Sequence, residues 1–146
     1  MTGGPSGPIL YIYYINTMDG DSLNLIISNS DKRPIYEQIY QQIKDLIVSD
    51  QLKASSQLPS IRSLAKDLRI SVITTKRAYD ELEAEGLVET VPGKGTFVAH
   101  KNQELIREEI IKKIEGSFTE AITTSRLIDL SLDDLIEILN ILYKEF

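Results

Sequence analysis

Two stretches of the chain decide its fold: LPSIRSLA at residues 58–65 and SVITTKRAY at residues 71–79. Each contains a serine, Ser60 or Ser71, placed to cap a helix by accepting a hydrogen bond from an amide of the first turn. Apolar residues then recur three and four positions apart, which predicts a helix with one buried face after each serine. Because only residues 69–70 connect the two helices, the pattern predicts a helix-turn-helix.

The upstream flank predicts one more helix and a strand. Pro34 opens the helix at a position where its missing amide costs nothing, and the helix ends near Asp50. Residues 23–27 before it predict a short strand. The apolar stripe of the helix consists of Ile35, Tyr36, Ile39, Ile43, Leu46 and Ile47.

The downstream flank predicts a β-hairpin. Gly86 suits the left-handed position that follows a helix, so the helix that starts at Ser71 ends there. Two β-prone runs follow at 87–91 and 96–99, and Pro92-Gly93-Lys94-Gly95 between them has the composition of a hairpin tip. The predicted fold class is mainly α with a small β-wing, a winged helix-turn-helix over residues 23–100.

The helix after Ser71 has two faces of different chemistry. At about 100° per residue, Thr75, Ala78, Tyr79 and Leu82 share the face that can pack inward. The opposite face is free to enter a DNA major groove, where hydroxyls and cations bond bases or phosphates and an apolar side chain can contact a thymine methyl. The candidate DNA-binding residues on this helix are Ser71, Ile73, Thr74, Lys76 and Arg77.

Two further candidates flank this helix. Arg62 lies in the first turn of the preceding helix, where a guanidinium and the helix terminus can both face a phosphate. Lys94 lies between Gly93 and Gly95 at the hairpin tip, which would let the backbone approach DNA closely. Alternatives stay open: Arg62 could pair with Asp67, Lys94 could only aid solubility, and Ile73 could be a peripheral core residue.

The composition narrows the function classes. The net charge of −6 is spread unevenly, because residues 58–79 and 92–99 carry six basic side chains against one acid. A DNA-binding surface needs local positive potential rather than a basic chain. The chain has no cysteine and one histidine, which argues against thiolate or histidine metal sites and Ser-His catalysis. We expect no cofactor. We expect a cytoplasmic protein that is not an enzyme, with no membrane span.

The tail, residues 101–146, contains two helical patterns, the second opened by Ser131 and Asp134 in the manner of a capping box. Its apolar surface is wider than one companion helix can cover, which predicts a homodimer. The candidate dimerisation residues are Ile110, Ile114, Phe118, Leu132, Leu135, Leu139 and Leu142. Two short helices leave little room for an enclosed cavity, although the dimer interface could form one, so we expect weak or no effector binding by the tail itself.

Residues 1–22 form an N-terminal extension with open alternatives. Met18 is a possible start, in which case residues 1–17 come from an upstream start or are not native. The segment is otherwise either disordered or a β-prone stretch that must pair with another strand.

The ordered set of motifs resembles the GntR family of bacterial regulators. It comprises LPSIRSLA (58–65), SVITTKRAY (71–79), EGLV (85–88) and GKGTFV (93–98). The short two-helix tail is similar to the YtrA-type branch of that family, which dimerises through it. The resemblance implies DNA contacts at Arg62, Ser71, Thr74, Lys76, Arg77 and the wing residues 93–95. Ile73 departs from the family pattern, since many relatives carry a polar or basic residue there.

These observations predict a sequence-specific regulator, in particular a repressor that binds a two-fold symmetric double-stranded DNA operator as a homodimer. The alternative is a winged-helix module that binds proteins instead of DNA. An enzymatic domain is not expected, because the roughly 46 residues after the wing are too few to hold one.

Overall fold

The computed structural model describes residues 10–16, 22–100 and 103–146. The chain divides into two compact units, Met1–Gln103 and Glu104–Phe146, which are described separately below. The chain is mostly helical with a two-stranded wing, as predicted. Its elements are β1 (Leu10–Asn16), β2 (Ser22–Ser28), α1 (Ile35–Val48), α2 (Ile61–Leu68), α3 (Val72–Ala84), β3 (Val88–Val91), β4 (Gly95–Val98), α4 (Gln103–Ser125), a 3-10 turn (Arg126–Ile128) and α5 (Leu132–Glu145).

Serine caps start both helices of the helix-turn-helix, which confirms the sequence prediction. The Ser60 hydroxyl accepts a hydrogen bond from the amide of Ser63 at 3.1 Å, and the Ser71 hydroxyl accepts one from the amide of Thr74 at 3.0 Å. Arg69 ends α2 in the left-handed conformation, with φ 55° and ψ 45°. The tight turn between α2 and α3 therefore follows from local chemistry.

Helices α1 and α2 both pack against α3, and all three bury their apolar stripes. Thr75, Ala78, Tyr79 and Leu82, the predicted inner face of α3, are all buried. The Tyr79 hydroxyl donates to the carbonyl oxygen of Pro59 at 2.7 Å, so this polar group keeps a partner inside the core. The outward direction of the remaining face of α3 is fixed by this packing.

The wing follows the helices as an antiparallel pair in which Val88 faces Val98 and Val91 faces Gly95. Gly86 has φ 75° and ends the α3 region as predicted. The segment 53–59 before α2 also contributes: the amide of Leu58 donates to the carbonyl oxygen of Thr96 and the amide of Val98 donates to the carbonyl oxygen of Ser56, both at 2.8 Å. This segment covers the outer edge of β4.

A second hairpin lies at the N-terminal end. The predicted strand 23–27 is confirmed as β2, and it pairs antiparallel with β1. Disorder is therefore the wrong alternative for residues 10–16, whereas residues 1–9 and 17–21 lie outside the described residues.

Two glutamine side chains of α1 close the other edge of β2. The Gln42 amide accepts from the backbone N–H of Ile26 at 2.8 Å and donates to its carbonyl at 2.7 Å. The Gln38 amide does the same for Ser28, at 3.0 Å and 3.1 Å. Side-chain amides thus replace a third strand and attach the hairpin to α1.

In the second unit, α4 continues through Gly116 without a break. Ser131 and Asp134 form the predicted capping box at the start of α5: Ser131 accepts from the amide of Asp134 at 3.2 Å, and Asp134 accepts from the amide of Ser131 at 3.0 Å. No helix in the described part of the chain is long and apolar enough to cross a membrane.

Candidate nucleic-acid interface

The first turn of α3 presents exposed side chains at the surface. The side chain of Ile73 is 82% exposed, so the alternative that it belongs to the core is wrong. Ser71 is exposed and Thr74 is half-buried. The Ser71 hydroxyl also donates to the Thr74 hydroxyl at 2.8 Å, which couples the two polar side chains at this end.

Lys76 lies one turn further along and is solvent-exposed. Its ammonium nitrogen lies 2.6 Å from a carboxylate oxygen of Asp80, one helical turn away. The spacing of four residues between Lys76 and Asp80 indicates such a pair, but Lys76 was predicted only as a DNA contact. Ion pairs at exposed positions contribute little, about 0–1 kcal/mol, so Lys76 can exchange this carboxylate for another anion.

Arg77 is held more firmly than Lys76. Its guanidinium pairs with Glu81 at 3.5 Å and lies over the ring of Tyr36 on α1, 3.7 Å from the ring centroid. A guanidinium stacked on an aromatic ring gains both cation–π and packing energy. Sequence reasoning missed Tyr36 as a partner, because the contact depends on how α1 packs beside α3.

Arg62 is exposed on the first turn of α2, and within the described residues it forms no ion pair with Asp67 or another acid. Lys66, four residues later, is also exposed and shares that helix face. Lys66 is one of the six basic side chains of residues 58–79 and 92–99, but it was not predicted to be a DNA-binding residue. The spacing from Arg62 was the signal that could have added it.

The wing tip is shaped by glycine and by one glutamine. Gly95 has φ 126°, and a Cβ atom there would lie 2.7 Å from the side-chain nitrogen of Gln57. That nitrogen donates to the carbonyl of Lys94 at 3.1 Å, which fixes the tip. Gly93 has φ 74° with open space around it, and Lys94 is exposed. The structure therefore presents Gly93 and Lys94 at the surface, whereas Gly95 is half-buried beside Gln57.

Glu85, directly after α3, is paired with a cation of α1. Lys44 of α1, which is buried, donates to a carboxylate oxygen of Glu85 at 2.9 Å, and the Tyr40 hydroxyl donates to the other oxygen. Burial lowers the pKa of Lys44, but the hydrogen bonds to Glu85 and Tyr40 outweigh it and the pKa lies above its usual value. Sequence analysis did not foresee this cluster, which ties α1 to α3.

The candidate dimerisation residues lie in the second unit and are largely uncovered. Ile110 and Leu135 are half-buried, and the others are exposed. Helices α4 and α5 flank an apolar groove of about 350 Å³ whose walls include Phe118, Leu132 and Leu139. No residue of α5 is buried.

Comparisons with known proteins agree with this architecture. Residues 35–98 match the model of the family described as bacterial regulatory proteins, gntR family. The chain is 35% identical over 104 residues to the HTH-type transcriptional repressor YtrA of Bacillus subtilis, covering 71% of this chain and 80% of that protein.

Two solved structures resemble the chain along most of its length. A transcriptional regulator from Oenococcus oeni matches with a TM-score of 0.65 and 30% identity, covering 80% of this chain and 97% of that one. A GntR family transcriptional regulator from Listeria monocytogenes matches with a TM-score of 0.62 and 29% identity, covering 76% and 96%. The likeness therefore extends beyond the winged helix-turn-helix itself.

Proposed function

Because this chain belongs to the GntR family of bacterial regulatory proteins, we propose that it is a transcriptional repressor that binds a two-fold symmetric DNA operator as a homodimer. The observation that carries the proposal is the outward face of α3, with Ile73, Lys76 and Arg77 exposed and an exposed cation on each flanking element. Repression is taken from the relative YtrA, which is described as a repressor. Such a protein acts on chromosomal DNA in the cytoplasm.

The contacts divide by chemistry. Ser71, Ile73, Thr74, Lys76 and Arg77 present the N-terminal half of α3 to the major groove. Arg62 binds a phosphate beside the start of α2, where the helix terminus favours an anion as well. The wing residues Gly93, Lys94 and Gly95 contact the adjacent backbone or minor groove. Phosphate contacts fix the position of the protein, and contacts to base edges give specificity.

Binding DNA requires Lys76 to exchange one anion for another. In the free protein its ammonium is bound to Asp80 at 2.6 Å, and a phosphate or guanine edge would replace that carboxylate. The exchange is inexpensive because the pair is exposed. Arg77, stacked on Tyr36, can bind a phosphate without leaving the ring.

Residues 23–100 form the DNA-binding domain in this proposal, and residues 101–146 form the dimerisation tail. The uncovered apolar surface of α4 and α5 supports a second copy as its cover, because a face this apolar is unfavourable in water. A dimer would place two recognition helices on one side of the duplex and double the phosphate contacts. The groove then belongs to the subunit interface, which leaves weak or no effector binding to the tail itself.

The proposal is tested by titrating the purified chain against labelled DNA from upstream of its own gene, with random DNA as competitor. The titration is done at about 50 mM and about 200 mM salt, a range over which phosphate contacts weaken strongly. We expect tight binding that survives the competitor and falls with salt. Lys76→Ala should weaken it, and Lys112→Ala, an exposed lysine of α4, should not.

Other outcomes have distinct meanings. Binding that random DNA abolishes would contradict sequence specificity for that region. Absence of binding to either DNA at low salt would contradict the proposal and favour the alternative, a winged-helix module that binds proteins.

A further inference from the structure

Helix α3 begins with two adjacent apolar side chains that the fold leaves in solvent. Val72 is 48% exposed and Ile73 is 82% exposed. Their neighbours within the helix, Thr75 and Ala78, are buried, so the packing of α3 fixes the direction of both. Sequence reasoning had singled out Ile73 alone and had assigned no role to Val72.

Of the two hydroxyls beside this pair, that of Ser71 is already engaged as both donor and acceptor. The Ser71 hydroxyl accepts from the amide of Thr74 at 3.0 Å and donates to its hydroxyl at 2.8 Å. The Thr74 hydroxyl accepts in this cap and keeps its own hydrogen to donate. What the first turn presents to the outside is mainly a branched apolar surface made by Val72 and Ile73.

This surface lies at the end of the helix that enters the major groove in a helix-turn-helix. The Cα–Cβ bonds of a helix tilt toward its N-terminus, so both side chains lean in the direction of the base edges. The two side chains project about 100° apart around the helix axis, so each can contact a different base pair. Because their Cα atoms are only about 3.8 Å apart and bases of one strand rise by about 3.4 Å, those two base pairs are neighbours.

The base edges in the major groove carry one methyl group, the C5-methyl of thymine, beside hydrogen-bond donors and acceptors. An apolar side chain pressed on a donor or acceptor removes water from it without replacing the hydrogen bond, which is unfavourable. The same side chain on a methyl gains buried apolar area. Val72 and Ile73 therefore favour thymine over the other bases.

We infer that Val72 and Ile73 read thymine methyl groups, so that each operator half-site carries thymine at two neighbouring positions beneath the start of α3. The inference rests on the proposed function, because it requires α3 to lie in the major groove. The two ends of the DNA-contacting face of α3 then have different roles. Val72 and Ile73 select thymine, and Lys76, one turn later, supplies positive charge for a phosphate or a guanine.

The experiment uses the full chain and a duplex that it selects from a random-sequence pool. Each thymine of that duplex is replaced in turn by deoxyuridine, which lacks the C5-methyl and keeps every hydrogen-bonding group. We expect affinity to fall about fourfold at each of two neighbouring positions per half-site, the value of one buried methyl group. All other positions should tolerate the replacement.

Variants link the effect to the two side chains. In Val72→Ala and Ile73→Ala the matching position should lose its sensitivity to deoxyuridine, as in a double-mutant cycle. Both sites are exposed and alanine favours helix, so folding is kept. Ile26→Ala removes a comparably exposed isoleucine of β2 and should leave the deoxyuridine profile unchanged.

The outcomes separate this inference from the proposed function. A selected duplex that binds equally well with deoxyuridine at every position would overturn the thymine reading and leave a specific DNA-binding protein. Sensitivity that persists in both alanine variants would assign the methyl contact to other residues and would also overturn it. A pool that yields no enriched sequence would overturn the proposed function, and this inference with it.

Discussion

In the first unit, α1, α2 and α3 bury their apolar stripes, whereas in the second unit α5 buries none of its residues and α4 leaves most of its apolar side chains in solvent. Ile43 and Leu64 are 0% exposed, while Leu139 is 46% and Ile141 55% exposed. The sequences are similarly apolar, so composition does not explain the difference. The first unit supplies its own cover, and the second needs cover that its two helices do not provide.

The largest effect is expected from a substitution at Leu139, on the uncovered face of α5. Leu139→Asp places a charge on the uncovered face of α5, and a carboxylate cannot be buried in an apolar interface without a partner. We expect dissociation into monomers by analytical ultracentrifugation. Operator affinity should fall about 10²–10⁴-fold, the range lost when two linked binding events become separate.

Glu137→Ala is the matched control for that experiment, because Glu137 lies on the same helix and is exposed. It should leave both the mass and the affinity unchanged. Leu139→Asp that remained dimeric with full affinity would show that this part of the tail is not the interface.

A leucine in the first unit should instead affect the stability of the fold. Leu82 is 0% exposed on the inner face of α3, so Leu82→Ala leaves a cavity and should lower the free energy of unfolding by about 2–5 kcal/mol. Urea denaturation measures the change. The same truncation at the wing, Val91→Ala, removes a side chain that is 36% exposed and should cost far less. Equal losses at the two positions would contradict the closed core of this unit.

The parts of this fold that were predicted correctly are those set by local chemistry. Ser60, Ser71 and Gly86 each act within a few residues of their own position, so the helix starts and the turn could be derived from the sequence. The inner face of α3 followed from its periodicity in the same way. Hydroxyl caps and left-handed glycines need no knowledge of the remaining fold.

The parts that were missed depend on elements far apart in sequence. Gln38 and Gln42 are four residues apart on α1, but nothing local shows that their amides close the edge of β2. The stacking of Arg77 on Tyr36 and the bond of Lys44 to Glu85 also join α1 to α3. Such contacts require the relative placement of two helices, which periodicity alone does not give.

Within the first unit, Lys76 and Arg77 lie on the exposed face of α3, opposite its buried face. Neither side chain belongs to the core, so both alanine variants should keep the circular dichroism spectrum. Lys76→Ala should leave the unfolding midpoint nearly unchanged, whereas Arg77→Ala should lower it slightly because it loses the stacking on Tyr36. Operator binding should weaken by about 1–3 kcal/mol for each contact to a base edge and less for a phosphate contact. Fluorescence anisotropy with the upstream duplex measures it.

Asp80→Asn provides a test of opposite sign. It removes the carboxylate that holds Lys76 in the free protein, so operator affinity should rise slightly, by less than about tenfold, as expected for an exposed pair. If Lys76→Ala and Arg77→Ala both kept the operator affinity of the parent chain, this face of α3 would not contact DNA.

The smallest expected effect is a difference in pH dependence between the helix caps of the two units. α2 and α3 are capped by serine alone, with Ser63 and Thr74 donating the amides, whereas α5 has a capping box that includes the carboxylate of Asp134. Hydrogen bonds from the amide and then the hydroxyl of Ser131 hold the pKa of Asp134 below its usual value. Because the folded-state pKa is the lower one, the stabilisation is complete above the unfolded-state pKa and is lost as the pH falls through the folded-state value.

The start of α5 should therefore loosen in acid before the start of α3 does. Cα chemical shifts of the full chain, followed from about pH 6 down to about pH 2 where carboxylates take up protons, should move toward coil values at residues 131–134 and stay helical at residues 72–75. Asp134→Asn should abolish this difference in pH dependence, because the amide does not titrate. Identical titration of the two helix starts in the parent chain would show that the carboxylate of Asp134 adds nothing to the serine cap, and that the caps of the two units work alike.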